Sequence, residues 1–290
     1  MTKGKIAARR CNLCLKRSQM TEDHIFPQGI AIPGQRQVTK ILHKVDPDFR
    51  GRQGTSLVQN GLKKSTLCAD CNNRILGAKL DPALIKLCKD VRVQISLGRF
   101  PMLPSIVVQH IELNKVAKSV AGHLLALDEY PQATHKTARE LRRFILRDDE
   151  GLPPTLRFHM WLYPFNRQAI FKDLHHIQFG SGYDPFWISA FKTYPLAFAF
   201  SSEITNPSFR LPGVMDITEW VKDTPEQQYR LIIPTRPTVD PNWPFAAHKE
   251  GAILTGDHDS ITTQPYKKIR FDNSHPLVEA KLSPKEHNND

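Results

Sequence analysis

Four cysteines stand in two pairs, Cys11-Asn12-Leu13-Cys14 and Cys68-Ala69-Asp70-Cys71, with 53 residues between the pairs. Two Cys-x-x-Cys knuckles can close one tetrahedral thiolate site, which suits Zn2+ and tolerates an intervening loop of any length. Four thiolates leave no open coordination position, so such a zinc is structural. Arg9, Arg10, Lys16 and Arg17 flank the first knuckle and favour thiolates. The competing redox reading needs a strand–helix junction of the βαβ kind, and neither knuckle sits at one. Cys88 falls on the apolar face of a helical pattern and reads as a small buried hydrophobe. Five cysteines, an odd number, argue against a disulfide framework and for a reducing, cytoplasmic setting.

Between the knuckles lies Thr21-Glu22-Asp23-His24-Ile25-Phe26-Pro27, and after the second comes Cys71-Asn72-Asn73-Arg74-Ile75-Leu76-Gly77-Ala78-Lys79-Leu80-Asp81. In order, this set resembles the HNH endonucleases, and within them the zinc-stapled subgroup with Asn after the last Cys. The match covers residues 11–81, about a quarter of the chain. The resemblance implies a ββα-metal fold, with Asp23 and His24 on the first strand of a hairpin and Asn72 at the start of the helix that crosses it. It makes His24 the general base, and Asp23 and Asn72 the ligands of one divalent metal, Mg2+ or Mn2+. It implies DNA as substrate, with RNA as the alternative, and products carrying 5′-phosphate and 3′-hydroxyl ends.

The chemistry of these residue types agrees. A phosphodiester repels nucleophiles and has a poor leaving group. An imidazole near neutral pKa can take a proton from water. A hard cation on oxygen ligands can bridge the phosphate and neutralise the leaving oxygen. Adjacent strand residues face opposite ways, so a bulge is expected where Asp23 and His24 meet. Glu22 reads as an acid that supports a ligand or faces solvent and not as a ligand itself, and Asn73 as an alternative to Asn72 or a helix cap. The sequence departs from the common pattern at Lys63, where many members carry a middle Asn; Asn60 lies three residues earlier. Lys63, Lys64 and Arg74 are candidate phosphate contacts. Arg50 and Arg52 are further candidates, in the loop Arg50-Gly51-Arg52-Gln53-Gly54, for which an ordinary solvated loop is the alternative.

The elements that must position these groups follow from pattern and charge. Residues 1–100 hold 19 Lys/Arg against 7 Asp/Glu, a net of +12, whereas 101–200 carry +2 and 201–290 carry −3. A basic field confined to the first third favours a polyanionic partner there. The 43 residues between His24 and Cys68 make a long insertion. A helix is expected from Asp81 as N-cap, with Pro82 at its first position, through Ile95 to Gly98. Helices are also expected over 112–128 and 135–147, the last with Arg139, Arg142, Arg143 and Arg147 as a solvated face or an extended DNA surface. After Gly151 the pattern turns to strands at 156–163, 169–179, 186–193, 196–201, 229–233 and 252–254. Phe158, Trp161 and Tyr163 read as core before base-stacking residues, His159 as core or half-buried, and His175-His176 as a weak metal candidate.

The expected class is therefore α+β: an N-terminal ββα-metal HNH module with a structural four-cysteine zinc (1–99), a helical connector (100–150), a mainly β C-terminal domain (151–273) and a polar tail (274–290). No stretch approaches the roughly 18–20 apolar residues of a membrane helix, and Cys11 follows the basic N-terminus where a signal peptide would have its apolar core. The C-terminal domain is left to recognition, regulation by a partner, or self-assembly. By analogy with small nucleases joined to larger domains, bacterial defence, restriction or mobile-element roles are expected. The competing reading is a non-catalytic zinc module that binds nucleic acid or protein.

Overall fold

The computed structural model describes residues 8–41, 55–59, 61–97, 103–178, 186–202, 213–222, 225–236, 239–244, 252–255 and 259–266. Arg50, Arg52, Asn60 and the tail 274–290 lie outside them.

Helix and sheet are mixed. The first knuckle turns between β1 (Arg9–Arg10) and β2 (Arg17–Ser18), an antiparallel ribbon. β3 (Met20–His24) pairs antiparallel with β6 (Lys63–Cys68). The second knuckle leads at once into α1 (Asp70–Leu80), wound with π-type turns, and α2 (Asp81–Ser96). The helix thus begins eleven residues before the position expected from Asp81 and Pro82. Asp81 is not its cap. Pro82 has no N–H to donate, so the ladder breaks there, and the Asp81 N–H reaches back five residues to the Leu76 carbonyl. The Asp81 carboxylate turns instead to Ser119 and His123.

α3 (Leu113–Ala126) is the hub. All of it except Lys115 is buried, because its apolar residues run around the whole circumference and not along one stripe. Gly122 lets α1 come close: a Cβ there would stand 2.4 Å from Leu76 Cδ2. α4 (Lys136–Leu146) packs on α3 with Leu141, Phe144 and Ile145. Its arginines do not share one solvated face. Arg142 is 4% exposed and donates to the carbonyls of Asn12 and Gln132, while Arg143 and Arg147 pair with acids at 149–150.

The strands expected after Gly151 form within one or two residues of their places: β8 (Leu156–Leu162), β9 (Gln168–Gln178), β10 (Phe186–Thr193), β11 (Leu196–Ser202), β13 (Tyr229–Pro234) and β14 (Ala252–Thr255). Others were not expected: β4 (Gln35–Lys40), β5 (Thr55–Gln59), β7 (Ser105–Ile111), β12 (Met215–Asp216) and β15 (Ile261–Pro265). An antiparallel nine-stranded sheet runs β12-β8-β11-β10-β9-β15-β4-β5, with β14 also on β9. Eleven residues make β9 long enough for β15 to pair with its first part and β14 with its last. The insertion between His24 and Lys63 therefore extends the C-terminal sheet through β15. β7 and β13 form a separate ribbon against α2, and α5 (Thr218–Val221) is one short turn. Phe158, Trp161 and Tyr163 are core, at most 1% exposed. Among the described residues no helix is long and apolar enough to cross a membrane.

Candidate metal centre and active site

The two knuckles meet. The Sγ atoms of Cys11, Cys14, Cys68 and Cys71 all lie within 4.8 Å of one another, and those of Cys14 and Cys68 are 3.8 Å apart. A tetrahedron with metal–sulfur bonds of about 2.3 Å has edges of about 3.8 Å. The cluster is therefore placed to hold a metal ion. Its acid–base balance points the same way. The Cys11 thiol is lowered to about 4, first by a hydrogen bond from Cys71, and in consequence Cys71 is pushed far up. Burial, then the charge on Cys11, raise Cys14. Without a cation, four crowded sulfurs share little negative charge; a divalent ion removes that conflict.

The knuckle is fixed to α3. Asn12, 1% exposed, donates to the carbonyls of Leu125 (3.0 Å) and Asp128 (2.7 Å), while Thr66 Oγ1 donates to that of Ala126. Cys88 is fully buried in the core, as expected.

β3 carries the expected irregularity, a register shift between Thr21 and Asp23. Beyond it Asp23 is opposite Lys64 and His24 opposite Lys63. His24 stays partly exposed, beside Gly61, whose φ of +89° turns the chain into β6. A Cβ at Gly61 would stand 3.4 Å from His24 Cδ2, so this turn leaves the ring its place. Asn72, in the first turn of α1, donates through Nδ2 to Thr21 Oγ1 (3.0 Å) and to the Glu22 carbonyl (3.2 Å). That fixes its amide and leaves Oδ1 as the oxygen able to act as a ligand. Glu22 is exposed and pairs with Lys63, the solvent-facing one of its two readings.

Asp23 is turned inward. It is 6% exposed, and its Oδ2 has no hydrogen-bond partner. Burial raises its carboxyl to about 6; the charge on His123 opposes the rise and that on Asp81 adds to it. Asp81 accepts from Ser119 Oγ (2.7 Å) and from His123 Nε2 (3.0 Å), all three buried. Burial pushes Asp81 up, but His123 and Ser119 outweigh it and the net direction is down. Burial likewise pulls His123 down, yet Asp81 outweighs it and the net direction is up. This His–Asp–Ser group behind Asp23 was not foreseen. In the sequence Asp81 has the local form of a cap, and His123 sits in a largely apolar helix where a lone histidine carries no signal.

A buried carboxylate oxygen without a donor, one residue along β3 from the carbonyl that anchors Asn72, fits a cation with oxygen ligands. The surrounding cations are already engaged. Lys63 pairs with Glu22 at 2.8 Å, Lys64 with Asp259 at 3.4 Å, and Arg74 with Asp70 through both carboxylate oxygens. His175 is exposed on β9. His159 is half-buried as expected, 2.9 Å from Ser201 Oγ. Among the described residues only the four cysteines gather as a potential metal cluster of His, Cys, Asp and Glu. Compared with known proteins, the chain matches no family model, no curated protein and no solved structure.

Proposed function

We propose that the protein is a metal-dependent endonuclease of the HNH kind that hydrolyses DNA phosphodiesters. The observation that carries this reading is the placement of Asp23, His24 and Asn72: consecutive residues at the end of β3, past a bulge, with the Asn72 amide anchored on the same strand. The order β3, β6, α1 and the metal-ready cysteines support it, since the resemblance expects both.

In this reading Zn2+ on the four cysteines holds the knuckles together and takes no part in chemistry. Asp23 and Asn72 would hold Mg2+ or Mn2+, which when bound neutralises charge on the scissile phosphate and leaving 3′ oxygen. His24, partly exposed, takes the proton from the attacking water. Thr21 keeps the Asn72 amide in one orientation, and Asp81 with His123 fixes the charge balance behind Asp23. The test is nicking of supercoiled plasmid with Mg2+ or Mn2+, against a reaction given EDTA at the moment of mixing. Cation-dependent open-circle product is expected; no product with either ion leaves the non-catalytic zinc module as the reading.

A further inference from the structure

We infer that the β1–β2 ribbon folded around the first knuckle is a docking surface for the phosphate backbone of nucleic acid, and that the cations beside the Asp-His motif are not. The inference deepens the nuclease reading and rests on it for the identity of the polyanion. The positive excess of residues 1–100 is unevenly available. Lys63, Lys64, Arg74, Lys79 and Lys86 are each held by a carboxylate of this chain. A phosphate there competes with an internal partner for the charge.

The ribbon differs. Arg9, Arg10, Lys16 and Arg17 are all exposed, and among the described residues none of them pairs with an acid. Arg10 and Arg17 stand directly opposite each other across the two strands. Like charges in that register repel and lower the stability of so short a ribbon. The strain persists because the knuckle imposes the turn: Cys11 N–H donates to the Lys16 carbonyl and Leu15 N–H to that of Cys11. A metal bound there would hold these cations around one turn; with four thiolates such a centre carries about two negative charges, fewer than the four cations on the ribbon, and a row of phosphates can balance the excess. Arg9 adds a second feature. It donates to the Glu129 carbonyl at 2.7 Å, and its guanidinium lies 5.5 Å from the centroid of Tyr130, which is 69% exposed. The surface adjoins the proposed active site, since the sulfurs of the two knuckles lie within 4.8 Å of one another and Cys71 of the second directly precedes Asn72.

The experiment measures binding of a short fluorescein-labelled DNA duplex by anisotropy over a range of salt, without added Mg2+. The full chain is compared with the triple variant Arg10→Gln/Lys16→Gln/Arg17→Gln and with Lys63→Gln/Lys64→Gln. Zinc content and melting temperature are checked for each. Three lost phosphate contacts lower the slope of log K against log salt by roughly 2 to 3, so the triple variant is expected to show that drop while the double variant keeps the parent slope. An unchanged slope in the triple variant, a loss confined to the double variant, or no binding by the parent at low salt each overturns the inference. Plasmid nicking separates the two ideas. Ribbon-dependent binding without nicking removes the nuclease reading alone, and nicking with a salt slope indifferent to the ribbon removes the docking surface alone.

Discussion

Asp23→Asn is expected to make the metal-free protein more stable, and the gain should grow with pH. Asp23 is 6% exposed, and burial raises its carboxyl from 3.8 to about 6. The folded state thus holds a proton that the unfolded state releases between those values. The sign follows: stability from this group is complete below 3.8 and is lost as pH rises through about 6. Two pKa units at about 1.36 kcal/mol each amount to about 3 kcal/mol. Asparagine has the same shape and no charge, but its amide is buried without an acceptor, at a cost of about 1 kcal/mol. The net is about 2 kcal/mol in favour of Asp23→Asn near pH 8, and a small deficit near pH 4. Urea unfolding of both proteins across that range reads the difference directly. Saturating Mg2+ should close the gap, because it stabilises only the parent, by about 2.7 kcal/mol at a hundredfold excess over Kd. A difference independent of pH, or an Asn variant less stable throughout, would refute the reasoning that Asp23 is an unsatisfied buried anion.

Other consequences concern the framework. Cys68→Ser removes one of four clustered ligands; apparent zinc-binding energies of about 10–16 kcal/mol are as large as the whole stability of a domain, so metal analysis should find no bound zinc and calorimetry no cooperative transition. His123→Leu leaves Asp81 buried with Ser119 as its remaining donor, and denaturation should show a loss of about 3–5 kcal/mol. Asp81 is lowered from 3.8 and His123 raised from 6.5, so that loss is largest between these values and shrinks at lower and at higher pH. Gly122→Ala drives a Cβ to 2.4 Å from Leu76 Cδ2. Overpacking of about 1–3 kcal/mol outweighs the helix-propensity gain of about 1, and adding Leu76→Val should restore part of the melting temperature.

What could be read from the sequence was what rests on local chemistry. The cysteine pairs needed only their spacing, and they converge. α3, α4 and six of the C-terminal strands follow apolar periodicity or aromatic runs bounded by turn residues. What was missed depends on distant partners. β4 reads Gln-Arg-Gln-Val-Thr-Lys, with no clean alternation, and is a strand because β15 and β5 flank it. Its Arg36, 2% exposed, is satisfied by Thr263 and Asn166, more than a hundred residues away. Asp81 before a proline has the local form of a cap, yet two side chains of α3 hold it. The same holds within the site. Asp23, His24 and Asn72 were legible as a motif, while the burial of Asp23 within reach of the charges on His123 and Asp81 was not, because no local pattern connects His123 of α3 to β3. Lys63 and Lys64 looked free because Glu22 and Asp259 are 41 and 195 residues distant.

The most direct test is the rate of plasmid nicking by His24→Ala beside the parent, both in saturating Mg2+ and both shown to carry zinc and to melt alike. His24 is partly exposed on the strand end, and among the described residues its ring makes no hydrogen bond or ion pair, so its loss should spare the fold. Removal of a general base is expected to slow cleavage by about 10²–10⁴-fold. Metal-dependent nicking at the parent rate would contradict the assignment of His24 as the base and, with it, the proposed chemistry of the Asp23–His24–Asn72 site.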